Sequence, residues 1–418
     1  MSPAFLRALG PGLLFAGAAV GVSHIVQSTR AGAVFGLSLV GLVVLANVFK
    51  YAAFSFGPRY AAATGTSLLE GYRKQGRLAL IVYGLLTVGT MFTVQAAVLL
   101  VTAGLAKAVF GLSLSVLWLA LILLLVCASI LSFGQYSWLD GIVRVVVIIL
   151  TLATFIATAL VVQRVDWSTL GWLPPGTLDK KTIFFMAALV GWMPSAIDIS
   201  VWHSLWTLAR RRQTGHAPTM EEAKLDFDIG YIGTGLLALC FILLGAGVMH
   251  GSGAAFKDSS GAFAGQVVEL YSTVLGQWSA PLIGVSALLV MFSTTLTVTD
   301  GFPRAVSTLY ARFFTSETAD ENYKTDRSYW AALVILSLGA MAVIGWLMGS
   351  LKLLVDVATT LSFLTAPILS VLNHRAVTGP EIATADRPSN GMLWLSTVSI
   401  LVQAAFALYW IWLRFFSA

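Results

Sequence analysis

Few side chains in this sequence could bind or move a charged solute, and most of them fall in two short stretches. Gly21, Ser23 and His24 lie inside GPGLLFAGAAVGVSHIVQSTRAGAVFG, residues 10–36. Met193, Ser195 and Asp198 lie inside ALVGWMPSAIDIS, residues 188–200. Gln95 adds an amide in a third apolar run. Imidazole and thioether are soft or borderline metal ligands, and a carboxylate supplies the charge that a cation needs. His24, Met193 and Asp198 are therefore candidate metal ligands. With Gly21, Ser23, Gln95 and Ser195 they make up the candidate substrate contacts. Each has a plainer reading beside it. His24 can be a hydrogen-bonded helix residue, Met193 packing, and Gln95 glue between helices. Ser195 and Asp198 have the spacing of a capping box, so Asp198 reads as a cap. The favoured reading is a ligand or proton carrier, since ionisable groups inside membranes are costly and tend to be functional. No nucleophile–base constellation, phosphate loop or zinc spacing is present, so no catalytic residue is assigned and the expected function is not enzymatic.

All these residues sit in runs apolar enough to enter a bilayer. The 418-residue chain is 58% hydrophobic and 11% charged, with a mean hydropathy of +0.86. Soluble domains carry about 25% charged residues, which excludes that class. The expected partners are the lipid bilayer and a small-molecule or ion substrate. The net charge of +6 bears on membrane orientation rather than on nucleic acid. Cys127 and Cys240 both fall in apolar runs, without a disulfide framework or ligand spacing. Arg7, the apolar core Leu13–Val20 and Ala16-Gly17-Ala18 imitate a cleavable signal peptide, but the same stretch reads better as the first of many membrane segments.

Eleven segments are expected, near 9–30, 34–57, 78–106, 113–133, 138–163, 183–207, 227–249, 278–302, 329–349, 353–373 and 391–414. With the N-terminus cytoplasmic, the inner loops hold Arg7, Arg59, Arg73, Lys74, Arg77, Arg210, Arg211, Arg212, Lys224, Arg304, Arg312, Lys324, Arg327, Arg375 and Arg387. The outer side holds fewer basic residues: Arg30, Lys107, Arg164, Lys180, Lys181, Lys257, Lys352 and Arg414. That asymmetry puts the N-terminus inside and the C-terminus outside, in what is expected to be a bacterial inner (plasma) membrane. Lys50 is expected to snorkel to the inner interface. Asp300 and Arg304, four apart, can pair along a helix. Arg30 is a candidate gate or anchor. Thr295, Thr297 and Thr299 can line a pathway or bond their own backbone.

Two segments should be broken. Gly17, Gly21, Ser23 and His24 together suit a helix that stops near Ala19–His24 and resumes, although small residues also serve close packing. Pro194 lacks an N–H and clashes with the preceding turn, so segment six should break near Gly191–Ser195. Each break leaves about four N–H and four C=O groups unpaired, which lipid cannot satisfy. Val190-Gly191 echoes Val20-Gly21, five segments earlier. Paired breaks in corresponding positions point to inverted repeats with a site at membrane mid-depth. The expected division is 1–163 for the first repeat, 164–374 for the second, and 375–418 for one additional helix.

The sequence resembles the Nramp divalent-metal transporters. The resemblance rests on GPGLL from Gly10, Ala31-Gly32-Ala33, Phe35-Gly36, Ala46-Asn47, Arg59 and Ala63-Thr64-Gly65. It continues through Phe110-Gly111, Trp138-Leu139-Asp140, Met193-Pro194 and Ser293-Thr294-Thr295-Leu296-Thr297. It implies an all-α LeuT-type fold of the amino acid–polyamine–organocation superfamily: a five-plus-five inverted repeat with one extra helix and segments one and six discontinuous. The family's metal motif, Asp-Pro-Gly-Asn, reads Gly21-Val22-Ser23-His24 here, and its Met-Pro-His reads Met193-Pro194-Ser195. The acidic pair of the family's proton route falls at Gln95 and Val98.

The expected function is secondary transport of a small solute by alternating access. The resemblance implies a divalent metal ion, as substrate and not as cofactor, at an altered site without the family's proton route. The alternative is a small organic solute, an amino acid or related metabolite, received on the amides of the glycine-rich break with Ser23, Gln95 and Ser195. A third reading is a transport-inactive sensor or scaffold on the same fold. No motif speaks to oligomeric state.

Overall fold

The computed structural model describes residues 10–133, 137–176, 178–252, 256–314, 326–347 and 350–417. Arg7 and Lys324, and the side chains of Trp138, Leu139 and Asp140, lie outside the described residues. Among the described residues the chain is all-helical, without strands.

Segment one is two helices. Pro11 opens α1, Pro11–Ala19, at a position where its missing N–H costs nothing. The Asp226 carboxylate then takes the amides of Gly10 at 3.0 Å and Gly12 at 2.6 Å. Helical bonding lapses at Val20, and the chain resumes in a π-turn, Ser23–Ser28, that runs into α2, Thr29–Phe35. The two halves meet at a bend of 45°. Then follow α3 (Val40–Thr64), a short α4 (Leu68–Gln75), α5 (Arg77–Phe110), α6 (Val116–Phe133) and α7 (Ser137–Val161). Segment six is again two helices. Asp179 caps α8, Lys180–Gly191, by accepting from the Thr182 amide, and α9 runs Ile199–Thr214 after a seven-residue gap that holds the cis Met193–Pro194 bond. The rest is α10 (Met220–Val248), α11 (Ser260–Leu275), α12 (Ala280–Phe314), α13 (Arg327–Leu347), α14 (Leu351–Val377) and α15 (Asn390–Phe415).

Eight of these helices are long and apolar enough to cross a membrane, and the bent pair α1–α2 adds a ninth span. Helix α7 and the pair α8–α9 take the places of segments five and six. The packing is reciprocal: both halves of segment one lie on α10, and both halves of segment six lie on α3. That exchange of one with six and two with seven is what an inverted repeat requires. Helices α5 and α12, segments three and eight, pack on each other, and α12 also packs on α1 and α9.

Gly191 shows why the second break can sit where it does. A Cβ there would lie 1.9 Å from the carbonyl oxygen of Thr359 on α14. Only glycine lets the end of α8 approach that backbone.

Candidate functional site

The two breaks face each other across a buried cavity. Its wall is Ala18, Ala19, Val22 and Ser23 from the first break, Trp192, Ser195, Ala196, Asp198, Ile199 and Trp202 from the second, Val94 and Val98 from α5, and Thr294, Val298 and Phe302 from α12. The cavity measures about 30 Å³, room for one or two waters. Most of this wall is apolar, and Trp202 and Phe302 meet edge-on at 4.7 Å between ring centres.

Of the expected site residues, the structure brings Ser23, Ser195 and Asp198 together on this wall. Asp198 is 2% exposed, and its Oδ1 has no hydrogen-bond partner. The capping-box expectation is corrected here. The α9 helix starts at Ile199, and the Asp198 side chain makes no capping bond. The segment-six gap is too irregular between Trp192 and Asp198 to align Ser195 with the later amides. The carboxylate is left turned to the cavity.

The other four candidates point elsewhere. Both His24 nitrogens are engaged, Nδ1 with Ser23 Oγ at 2.7 Å and Nε2 with the Thr234 carbonyl at 2.9 Å. With both bonds made, the ring has no lone pair to offer an ion. Met193 is fully buried, its sulfur accepting from Ser28 Oγ at 3.9 Å. Gln95 donates to Thr299 Oγ1 at 3.0 Å, a bond between segments three and eight. Gly21 lies against α12, where a Cβ would stand 3.0 Å from Thr294 Cγ2 and 3.1 Å from its Oγ1. Among the described residues no group of three or more His, Cys, Asp or Glu side chains could hold a metal ion.

Lys50 overturns a second expectation. It does not snorkel: it is 1% exposed, and its ammonium donates to the carbonyls of Val190 at 2.5 Å, Gly191 at 2.8 Å and Ser195 at 3.2 Å. The expected segment 34–57 put Lys50 only seven residues from its inner end, but the helix runs on to Thr64. Lys50 is ten residues into α3, about 15 Å from its start, too deep for its stem to reach an interface readily.

Beyond the cavity, Arg30 on α2 pairs with Asp356 on α14 at 2.7 Å and lies 4.7 Å over the Phe185 ring of α8. Gln27 donates to the same Asp356 carboxylate at 3.2 Å. Sequence reading singled out Arg30 but not its partner. Asp300 and Arg304 pair as their spacing suggests, at 2.5 Å, and Tyr329 on α13 donates to the same carboxylate at 2.8 Å. Thr295, Thr297 and Thr299 each bond a carbonyl one turn back, at 2.8, 2.8 and 2.7 Å. The threonine that reaches the cavity is Thr294, which also donates to the Gly17 carbonyl at 2.8 Å.

Solved structures share this architecture. A manganese transporter of Eremococcus coleocola superposes with a TM-score of 0.73 at 13% identity, over 99% of this chain and 88% of that one. MhsT in complex with L-phenylalanine gives 0.59 at 15%, over 96% and 97%. A nucleobase-cation-symport-1 family transporter gives 0.56 at 14%, over 98% and 93%. At these identities the likeness is one of fold, the LeuT-type fold. In sequence, a protein of Pasteurella multocida, described only as uncharacterised, is 33% identical over 407 residues, 97% of this chain and 92% of that protein. The model of the natural resistance-associated macrophage protein-like family matches residues 12–410. A match over nearly the whole chain, on a fold that transporters share, makes this protein a member of the Nramp family and hence a multi-pass membrane transporter, not an enzyme.

Proposed function

We propose that this protein is a secondary transporter working by alternating access, and that its cargo is a small organic solute bearing a positive group, an amino acid or related metabolite. The carrying observation is the cavity wall: one carboxylate, Asp198, among indoles, a phenyl ring and aliphatic side chains. The cavity size would suit a dehydrated ion, but the donors do not. Hard divalent ions take about six oxygen ligands, and the protein groups on offer are Asp198 and a few hydroxyls. Ser23 Oγ is already engaged with the Ala19 carbonyl at 2.6 Å and with His24. An ammonium group, by contrast, pairs with one carboxylate and gains from aromatic faces such as Trp192 and Trp202. The resumed helices at Ser23 and Ile199 present their N-terminal ends near the same space, where a carboxylate is favoured.

In this reading the N-terminus is cytoplasmic in a bacterial inner membrane and the C-terminus is outside. The repeats 1–163 and 164–374 rock against each other to open the narrow cavity to either side. The Arg30–Asp356 pair closes its outer end. The segment-three positions that carry protons in the family offer no carrier, since Gln95 is bound to Thr299 and Val98 is apolar.

Family membership supports a second reading, a divalent metal ion held largely hydrated against Asp198. A thermal-shift screen of the purified protein against amino acids, amines and divalent metals separates the two. Stabilisation by an amino acid or amine that a chelator leaves intact is expected. Stabilisation by Mn²⁺ alone would overturn the organic reading.

A further inference from the structure

Lys50 belongs to neither the family motif nor the cavity wall, yet its charge stands directly behind that wall. Its three partners are backbone carbonyls of the segment-six break, at 2.5, 2.8 and 3.2 Å, and Ser195, which supplies one of them, lines the cavity on its other side. Among the described residues no carboxylate pairs with Lys50. Three acceptors converging on one nitrogen call for three N–H donors, which the ammonium has and the neutral amine lacks. Val190 and Gly191 end α8, so their carbonyls are the negative end of a half-helix. The charge is thus held by oriented dipoles instead of a counter-ion. Backbone carbonyls gathered in this way are also how proteins replace the hydration shell of an alkali cation.

We propose that Lys50 is a built-in cation of the segment-six break: its ammonium fills a carbonyl cage that would otherwise need a free monovalent cation to hold its shape, and so it positions Ser195 and Asp198 at the cavity. The first break is tied in a parallel way, by the His24 side chain reaching the Thr234 carbonyl on α10 at 2.9 Å. In each case a basic side chain bonds backbone carbonyl oxygen across the contact between a broken segment and its packing partner, from α3 into the second break and from the first break out to α10. Only the second tie gathers three carbonyls on one nitrogen. Lys50 plays this part whichever solute is carried.

The test uses the full-length protein in detergent and needs no solute. Apparent melting temperatures are measured for the native protein, Lys50→Arg, Lys50→Met and Lys50→Ala in N-methylglucamine, sodium, potassium and methylammonium chlorides. The native protein should melt at the same temperature in all four. Lys50→Ala, which vacates the cage, should melt lower by about 5 °C or more and recover with a saturable dependence on methylammonium. Lys50→Met, whose stem fills the space without charge, should fall below Lys50→Arg and should not recover. A merely structural lysine would give a fall that no cation reverses. The proposal is overturned if Lys50→Ala melts alike in all four salts, or if Lys50→Met equals or exceeds Lys50→Arg. The last comparison still decides if Lys50→Ala does not fold.

Discussion

In the proposed reading, Asp198 is the residue on which the site turns. A carboxylate oxygen without a partner, at 2% exposure in a membrane protein, is costly unless something charged meets it during the working cycle. Asp198→Asn keeps the shape and removes the charge. It should weaken binding of the solute found by screening about 10- to 100-fold, read by calorimetry, while leaving the melting temperature of the unliganded protein unchanged or raised. A lowered melting temperature with intact binding would assign Asp198 to structure alone. The sequence pointed to this residue through cost, and the fold leaves it buried on the cavity wall with one oxygen unpartnered. Its other two ligand candidates could not be judged the same way. Residue type marks His24 and Met193 as capable of binding metal, but orientation decides, and orientation is set by partners far away in the chain. Thr234 lies 210 positions from His24, and Ser28 lies 165 from Met193. No local pattern carries that information.

At the scale of elements, the two breaks were legible because their causes are local. Pro194 cannot extend a helix, and Gly21 with Ser23 and His24 weakens one. The clamp that holds the second break was not legible, because it comes from α3 and reads in isolation as a lysine seeking the interface. The close approach of α8 to α14 is another long-range fact. Gly191→Ala should set the new methyl against the Thr359 carbonyl, 1.9 Å from ideal Cβ, and destabilise the protein by about 1–3 kcal/mol. Denaturation in detergent would measure this, with Gly233→Ala as a control, since a Cβ at Gly233 meets nothing within 4 Å. Equal stability of the two variants would mean that the break shifts freely, contrary to a cavity built on fixed halves.

At the scale of the molecule, composition and the spacing of the broken segments pointed to an inverted-repeat membrane protein, because such a repeat leaves its mark in order and period, and the family resemblance supplied the LeuT-type fold. Cargo was not reachable in that way. The family motif implied a metal ion, and the altered positions Gly21 and Ser195 raised the question without answering it. The wall of the cavity bears on it, through Trp192, Trp202 and Phe302 around a single carboxylate. The most direct measurement is uptake into proteoliposomes of a radiolabelled amino-acid mixture and, in parallel, of radioactive manganese, by the native protein and by Asp198→Asn. The native protein should show saturable amino-acid uptake that persists with a chelator and is lost in Asp198→Asn, with manganese uptake at the level of empty vesicles. Saturable manganese uptake at micromolar concentration, abolished by chelator and retained in Asp198→Asn, would contradict the organic reading.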